Sequence, residues 1–167
     1  MAIVPTGYML AQKRAKKRSM LVSILAYSET MRQNVESITY APRVAEIKAL
    51  IANNDVSFRA YVPLSDKNTP YDEYLKKKYT LAPELIAVCD TYFGHALLFE
   101  QSYSNLAGDE FFSLTPERQV KALDSLVNIG TNTEKARQEM VFAFQNHRQT
   151  KRLLIRIQRT LTGITFS

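Results

Sequence analysis

An all-α fold, built as a single-domain helical bundle of five or six helices, is predicted by three features of this sequence. From Pro83 to Leu106 the residues Leu85, Cys89, Tyr92, Ala96, Phe99, Tyr103 and Leu106 alternate at spacings of four and three, the pattern of a seam buried between helices. Ala136, Met140, Ala143, His147, Thr150, Leu154, Ile157 and Leu161 repeat the same period, so two long helices are natural partners. The third feature is compositional: 46% of the 167 residues are apolar, with only 5 Gly and 6 Pro and a near absence of hairpin dipeptides, which disfavours disorder and an all-β fold. A chain of this length can bury one core without disulfides or a metal.

Taken in order, Pro5 and Gly7 punctuate the start, and a first helix is expected from about Tyr8 to Ser37. Its apolar stripe, Met20, Ile24, Tyr27, Met31 and Val35 with Leu21 and Leu25 beside it, ends abruptly on the N-terminal side. Stepping backwards at about 100° per residue lands on Lys17 and Lys13, where ammonium groups would have to enter the core. Residues 1–19 are therefore expected to form a basic arm beyond a helical domain of 20–167. Pro42 breaks the pattern, and a second helix is expected from Arg43 to Asn53, with Val44, Ile47, Leu50 and Ile51 on its buried face. Phe58 to Leu64 reads as loop with a helical turn. Thr69, Pro70, Asp72 and Glu73 then make a helix start, and Lys76, Lys77 and Lys78 suit the negative end of its dipole.

The pillar helix 83–107 is expected to stop where Gly108 adopts a left-handed conformation. The link after it carries Phe111, Phe112 and Leu114, so it is either pinned to the core or covered by a partner, and Phe111 and Phe112 are candidate protein-docking residues. Thr115 and Pro116 open another helix, with Val120, Leu123, Leu126 and Val127 buried and Gly130 as its stop. Thr131 and Glu134 have the spacing of a capping box and start the last helix, expected to run to about 161. In it, His147 and Thr150 would form a polar layer that fixes register.

Charge is segregated along the chain. The overall balance is +6, yet residues 1–20 hold five Lys or Arg and no acid, and residues 140–167 hold five and no acid. The candidate polyanion-binding residues are Lys13, Arg14, Lys16, Lys17 and Arg18 at the start, with Arg148, Lys151, Arg152, Arg156 and Arg159 on one face of the last helix. Guanidinium forks match phosphate oxygens, and an acidic protein surface would serve as well. Lys76 to Lys78 beside Tyr74 and Tyr79 also interleave cations with aromatics, as single-strand nucleic-acid binders do.

Catalytic signatures are missing from the sequence. His95 and His147 have no second histidine at helical spacing, no Glu-x-x-His pair occurs, and the scattered glycines form neither a Walker A loop nor a dinucleotide fingerprint. The single cysteine, Cys89, sits in the apolar seam and reads as an inert core residue. No cofactor, no metal and no enzymatic activity are expected. The partners expected are other protein subunits, with nucleic acid through phosphate contacts as the alternative. A membrane partner is disfavoured because no basic segment carries a Trp or Phe face. No apolar run reaches eighteen residues and no signal-peptide pattern opens the chain, so a soluble intracellular protein is the expectation.

Overall fold

The computed structural model describes residues 6–55, 70–147 and 150. Among them lie six α-helices and one 3-10 turn, with no strand: α1 (Thr6–Thr39), α2 (Ala41–Ala52), α3 (Pro70–Lys77), the 3-10 turn Lys78–Thr80, α4 (Pro83–Ala107), α5 (Asp109–Phe112) and α6 (Pro116–Asn146). The chain is thus an all-α bundle, as its periodicity predicts. The expected loop around Phe58 to Leu64 falls outside the described residues.

The predicted pillar is α4. Pro83 occupies its first turn, where a missing N–H costs nothing, and Leu85, Cys89, Tyr92, Phe93, Ala96, Phe99 and Leu106 are buried along it. Each large apolar side chain so enclosed contributes about 1.5–3 kcal/mol. The largest helix interface joins α4 to α6, and the next joins α1 to α6. Gly130 of α6 faces Phe99 of α4 together with Val35 and Thr39 of α1. Further along α6, Thr133 Oγ1 lies 3.2 Å from the His95 carbonyl, and Gln138 shares a groove with Arg32. Hence α6 runs antiparallel to both α1 and α4.

Phe93 is where the smaller helix α3 attaches. Its ring stands 5.0 Å from Tyr74, 5.1 Å from Tyr71, 5.4 Å from Tyr92 and 5.7 Å from Tyr27, close enough for direct aromatic packing. The Tyr74 hydroxyl donates to Asp90 Oδ1 at 2.8 Å, and Ser19 Oγ donates to Glu73 Oε1 at 3.1 Å, so α3 is fixed to both α4 and α1. At the opposite end, Ile47 and Ile51 bury α2, and Lys48 pairs with Asp124 at 2.7 Å.

Four local expectations are corrected. Gly108 has φ −80° and ψ 153°, so the pillar ends on extended backbone rather than a left-handed cap, and its carbonyl accepts from the Phe111 amide to start α5. Gly130 does not stop a helix; α6 runs through it unbroken. A β-carbon there would lie 2.9 Å from Thr39 Cγ2 and 3.2 Å from Phe99 Cε2, so glycine is needed for close approach of three helices. The Thr131–Glu134 capping box is likewise absent: the Thr131 hydroxyl donates to Val127 O at 2.9 Å in mid-helix, and Glu134 pairs with Arg137. Finally, α6 ends at Asn146 rather than continuing to 161. His147 adopts φ −76° and ψ 132°, and the Thr150 hydroxyl turns back to the Phe144 carbonyl, one of those a helix end leaves open. His147 is consequently a half-buried C-cap, not a layer inside a continuous seam.

Candidate polyanion interface

Lys13, Arg14, Lys16, Lys17 and Arg18 lie within α1, on the two turns before the buried stripe that begins at Met20. Their helical spacing puts Lys13, Lys16 and Lys17 on one side, with Arg14 and Arg18 next to them. All except Lys17 are exposed. Lys17 is half-buried, and loss of solvent lowers its pKa, which marks an ammonium group held against protein surface. Among the described residues no carboxylate pairs with Lys13, Arg14, Lys16 or Arg18.

Those cations border a groove of about 470 Å³, in which Lys13, Arg14, Lys16 and Lys17 face Tyr79 and Thr80 of the 3-10 turn. Attachment of α3 beside Ser19 is what brings this turn, some sixty residues later in sequence, against the start of α1. Tyr79 is 75% exposed, while Tyr74 is fully buried under the α3–α4 contact. The three lysines that precede Tyr79 have different fates. Lys77 pairs with Glu73, and Lys78 reaches Asp90 at 3.2 Å while sitting 5.7 Å from the centre of the Tyr74 ring. The Lys77 pair lies within α3, while Lys78 ties the 3-10 turn to α4. Lys76 is exposed. Glu73 of α3 accepts hydrogen bonds from Ser19 and Lys77, and Asp90 of α4 accepts from Tyr74 and Lys78.

The second basic cluster, Arg148, Lys151, Arg152, Arg156 and Arg159, falls outside the described residues. The end of the helix that precedes it does not. Since α6 is antiparallel to α1, His147 and Thr150 sit at the end of the bundle from which the basic turns of α1 extend. The expected docking pair is split: Phe111 is only 4% exposed and packs edge-on to Phe112 at 5.4 Å, so its ring belongs to this chain's own core. Phe112 is half-buried against the same core. Of the two alternatives for this link, being pinned to the core is the one observed.

A second groove, of about 520 Å³, runs between α1 and α6 past Arg32, Glu36, Glu134 and Gln138. Its charges are internally matched. Arg32 bridges Glu29 and Glu36, each at 2.7 Å, and Arg137 holds Glu134 at 2.7 Å, which pulls the Glu29 and Glu134 carboxyls below the usual carboxylate range. No group of three or more His, Cys, Asp or Glu is placed to hold a metal ion among the described residues. The Cys89 thiol is buried and its pKa is pushed up to about 12 by desolvation, far from the value a nucleophile needs. No helix among the described residues is long and apolar enough to cross a membrane.

Tyr79 is the residue that sequence reasoning undervalues. Its place beside Lys76, Lys77 and Lys78 is a visible signal, but the sequence pairs it with the wrong cations; its groove neighbours are those of α1. Compared with protein-family models, curated proteins and solved structures, the chain matches none of them.

Proposed function

We propose that this chain is a non-enzymatic helical assembly subunit that docks into a larger intracellular complex and contacts a polyanionic partner through its basic end. One observation carries the reading: five cations occupy the two turns of α1 that precede its buried stripe, and four of them have no carboxylate partner among the described residues. Like charges at this helical spacing repel one another. The arrangement becomes favourable when a multivalent anion supplies the missing charge.

Fluorescein-labelled heparin provides a test that assumes no particular partner. The full chain should bind it in low salt and lose affinity steeply as salt rises. Deleting residues 1–19 should weaken binding and flatten its salt dependence, with the helical circular dichroism signal falling only by the share of the α1 turns removed, because the core stripe begins at Met20. Equal binding by the deleted and intact chains would remove α1 from the interface. An unfolded deletion product would show that these turns belong to the core.

A further inference from the structure

The basic groove also carries a feature that a simple anion-docking surface does not need. Tyr79 presents its ring to solvent at 75% exposure on the wall opposite Lys13, Arg14, Lys16 and Lys17. Large aromatic rings are ordinarily placed where their surface leaves water, as Tyr71, Tyr74, Tyr92 and Phe93 do one helix away. A sulfated polymer would use the cations and ignore the ring. A duplex would present its phosphates and keep its bases stacked on one another. A single-stranded nucleic acid offers both complements at once, phosphates along the backbone and unstacked base faces beside them.

We infer that the groove between α1 and the 3-10 turn binds single-stranded nucleic acid, with Tyr79 stacking on a base while Lys13, Arg14, Lys16 and Lys17 contact the flanking phosphates. This rests on the polyanion reading above and narrows it to one class of partner. The turn is well suited to hold the ring. Lys78 is anchored to Asp90, the Thr80 hydroxyl donates to the Lys77 carbonyl at 2.9 Å, and Leu81 is buried directly after it. The ring is therefore presented from a fixed backbone, and little entropy is lost when a base lands on it. Recognition would be poorly selective for sequence, because every base has a face to stack and no base-reading side chain is required.

Fluorescence anisotropy with a labelled thymidine dodecamer, a duplex of the same length and labelled heparin separates the possibilities. Tyr79→Ala should weaken dodecamer binding by about 5- to 150-fold, the equivalent of the roughly 1–3 kcal/mol of one base–aromatic stack, with the slope of affinity against salt unchanged. Heparin and duplex binding should hardly move, and Tyr79→Phe should bind the dodecamer like the wild type. Replacing Lys13, Lys16 and Lys17 with Gln should lower the salt slope by roughly 0.7 for each phosphate that is no longer neutralised. Indifference of the dodecamer to Tyr79→Ala, with heparin still bound, overturns the stacking inference and leaves the polyanion reading standing. Equal weakening for heparin and dodecamer also overturns it, since the ring would then only shape the groove. Failure of the wild type to bind any of the three probes overturns both.

Discussion

Cys89 and Phe93 sit four residues apart on α4, and neighbouring side chains give them different tasks. Cys89 has no exposed surface, and its thiol is pushed up to about 12 because a thiolate there would be stripped of water. A maleimide reagent at neutral pH should therefore label it slowly in the native protein and rapidly in urea; fast native labelling would mean that the α4 seam opens. Phe93, which the sequence places beside the main stripe, is instead the ring on which Tyr27, Tyr71, Tyr74 and Tyr92 converge. The hydroxyls in this cluster are treated unequally. Tyr27 donates to Glu100 at 2.9 Å and Tyr74 to Asp90, whereas the buried Tyr92 hydroxyl has no hydrogen-bond partner among the described residues. Its desolvation is a cost that the packing of the ring must outweigh.

Among the elements, α6 differs most from what its sequence announces. Gly130, Thr131, Asn132 and Thr133 carry the marks of a helix stop followed by a new start, yet the helix passes through all four. Glycine costs a helix interior about 1 kcal/mol relative to alanine, and here close packing offsets it. Alanine at this position would bring a methyl group to 2.9 Å from Thr39 Cγ2 and 3.3 Å from Val35 Cγ1. We expect Gly130→Ala to destabilise the protein by about 1–2 kcal/mol, as overpacking exceeds the gain in helix propensity. Thr39→Ser deletes the nearest obstructing methyl, so the double variant should recover most of that stability in urea denaturation. A stable single variant would show that α1 and α6 are not in close contact at Gly130. The turns of α1 before Met20 follow a different logic: none of positions 11–19 is fully buried, and Ser19 bonding to Glu73 is one contact that ties them to α3.

For the whole molecule, shifted carboxylates make stability depend on pH in opposite directions. Glu29, Glu73 and Glu134 are held below their ordinary range mainly by hydrogen bonds from Arg32, Lys77 and Arg137 respectively. Their contribution is present above the unfolded pKa and is lost as pH falls through the lowered folded values. Glu100 is shifted the other way by burial, with the Tyr27 hydrogen bond only partly opposing it. The folded state therefore holds this proton more tightly than the unfolded chain does. Its contribution is complete below the unfolded pKa and is lost as pH rises through the raised folded value. Glu100→Gln keeps an acceptor for Tyr27 and removes the buried charge. The variant should be more stable than wild type at pH 7, and the difference should vanish towards pH 4, as read by denaturant midpoints at several pH values. A constant difference across that range would show that Glu100 titrates like an exposed carboxyl.

The order of residues was enough to establish the all-α class, the burial of Leu85, Cys89, Tyr92, Ala96 and Phe99 along α4 and, among the described side chains, the start of the buried stripe of α1 at Met20. These are consequences of helical period, which relates residues only three or four places apart and needs no knowledge of neighbours. It also exposed the basic cluster of α1, because a lysine on an apolar stripe is a local contradiction. The remaining features depend on packing between helices. Gly130 permits a helix stop or a close helix crossing equally well, and Thr39 and Phe99 on the facing helices select the crossing. Thr150 continues the apolar period, yet the open Phe144 carbonyl gives its hydroxyl a better place outside the helix. Phe111 finds its cover within this chain. Tyr79 meets Lys13 and Lys17 only because α3 is anchored to Phe93 and Ser19, a pairing that no local pattern encodes: when each segment satisfies its own period, long-range packing decides which side chains share a groove.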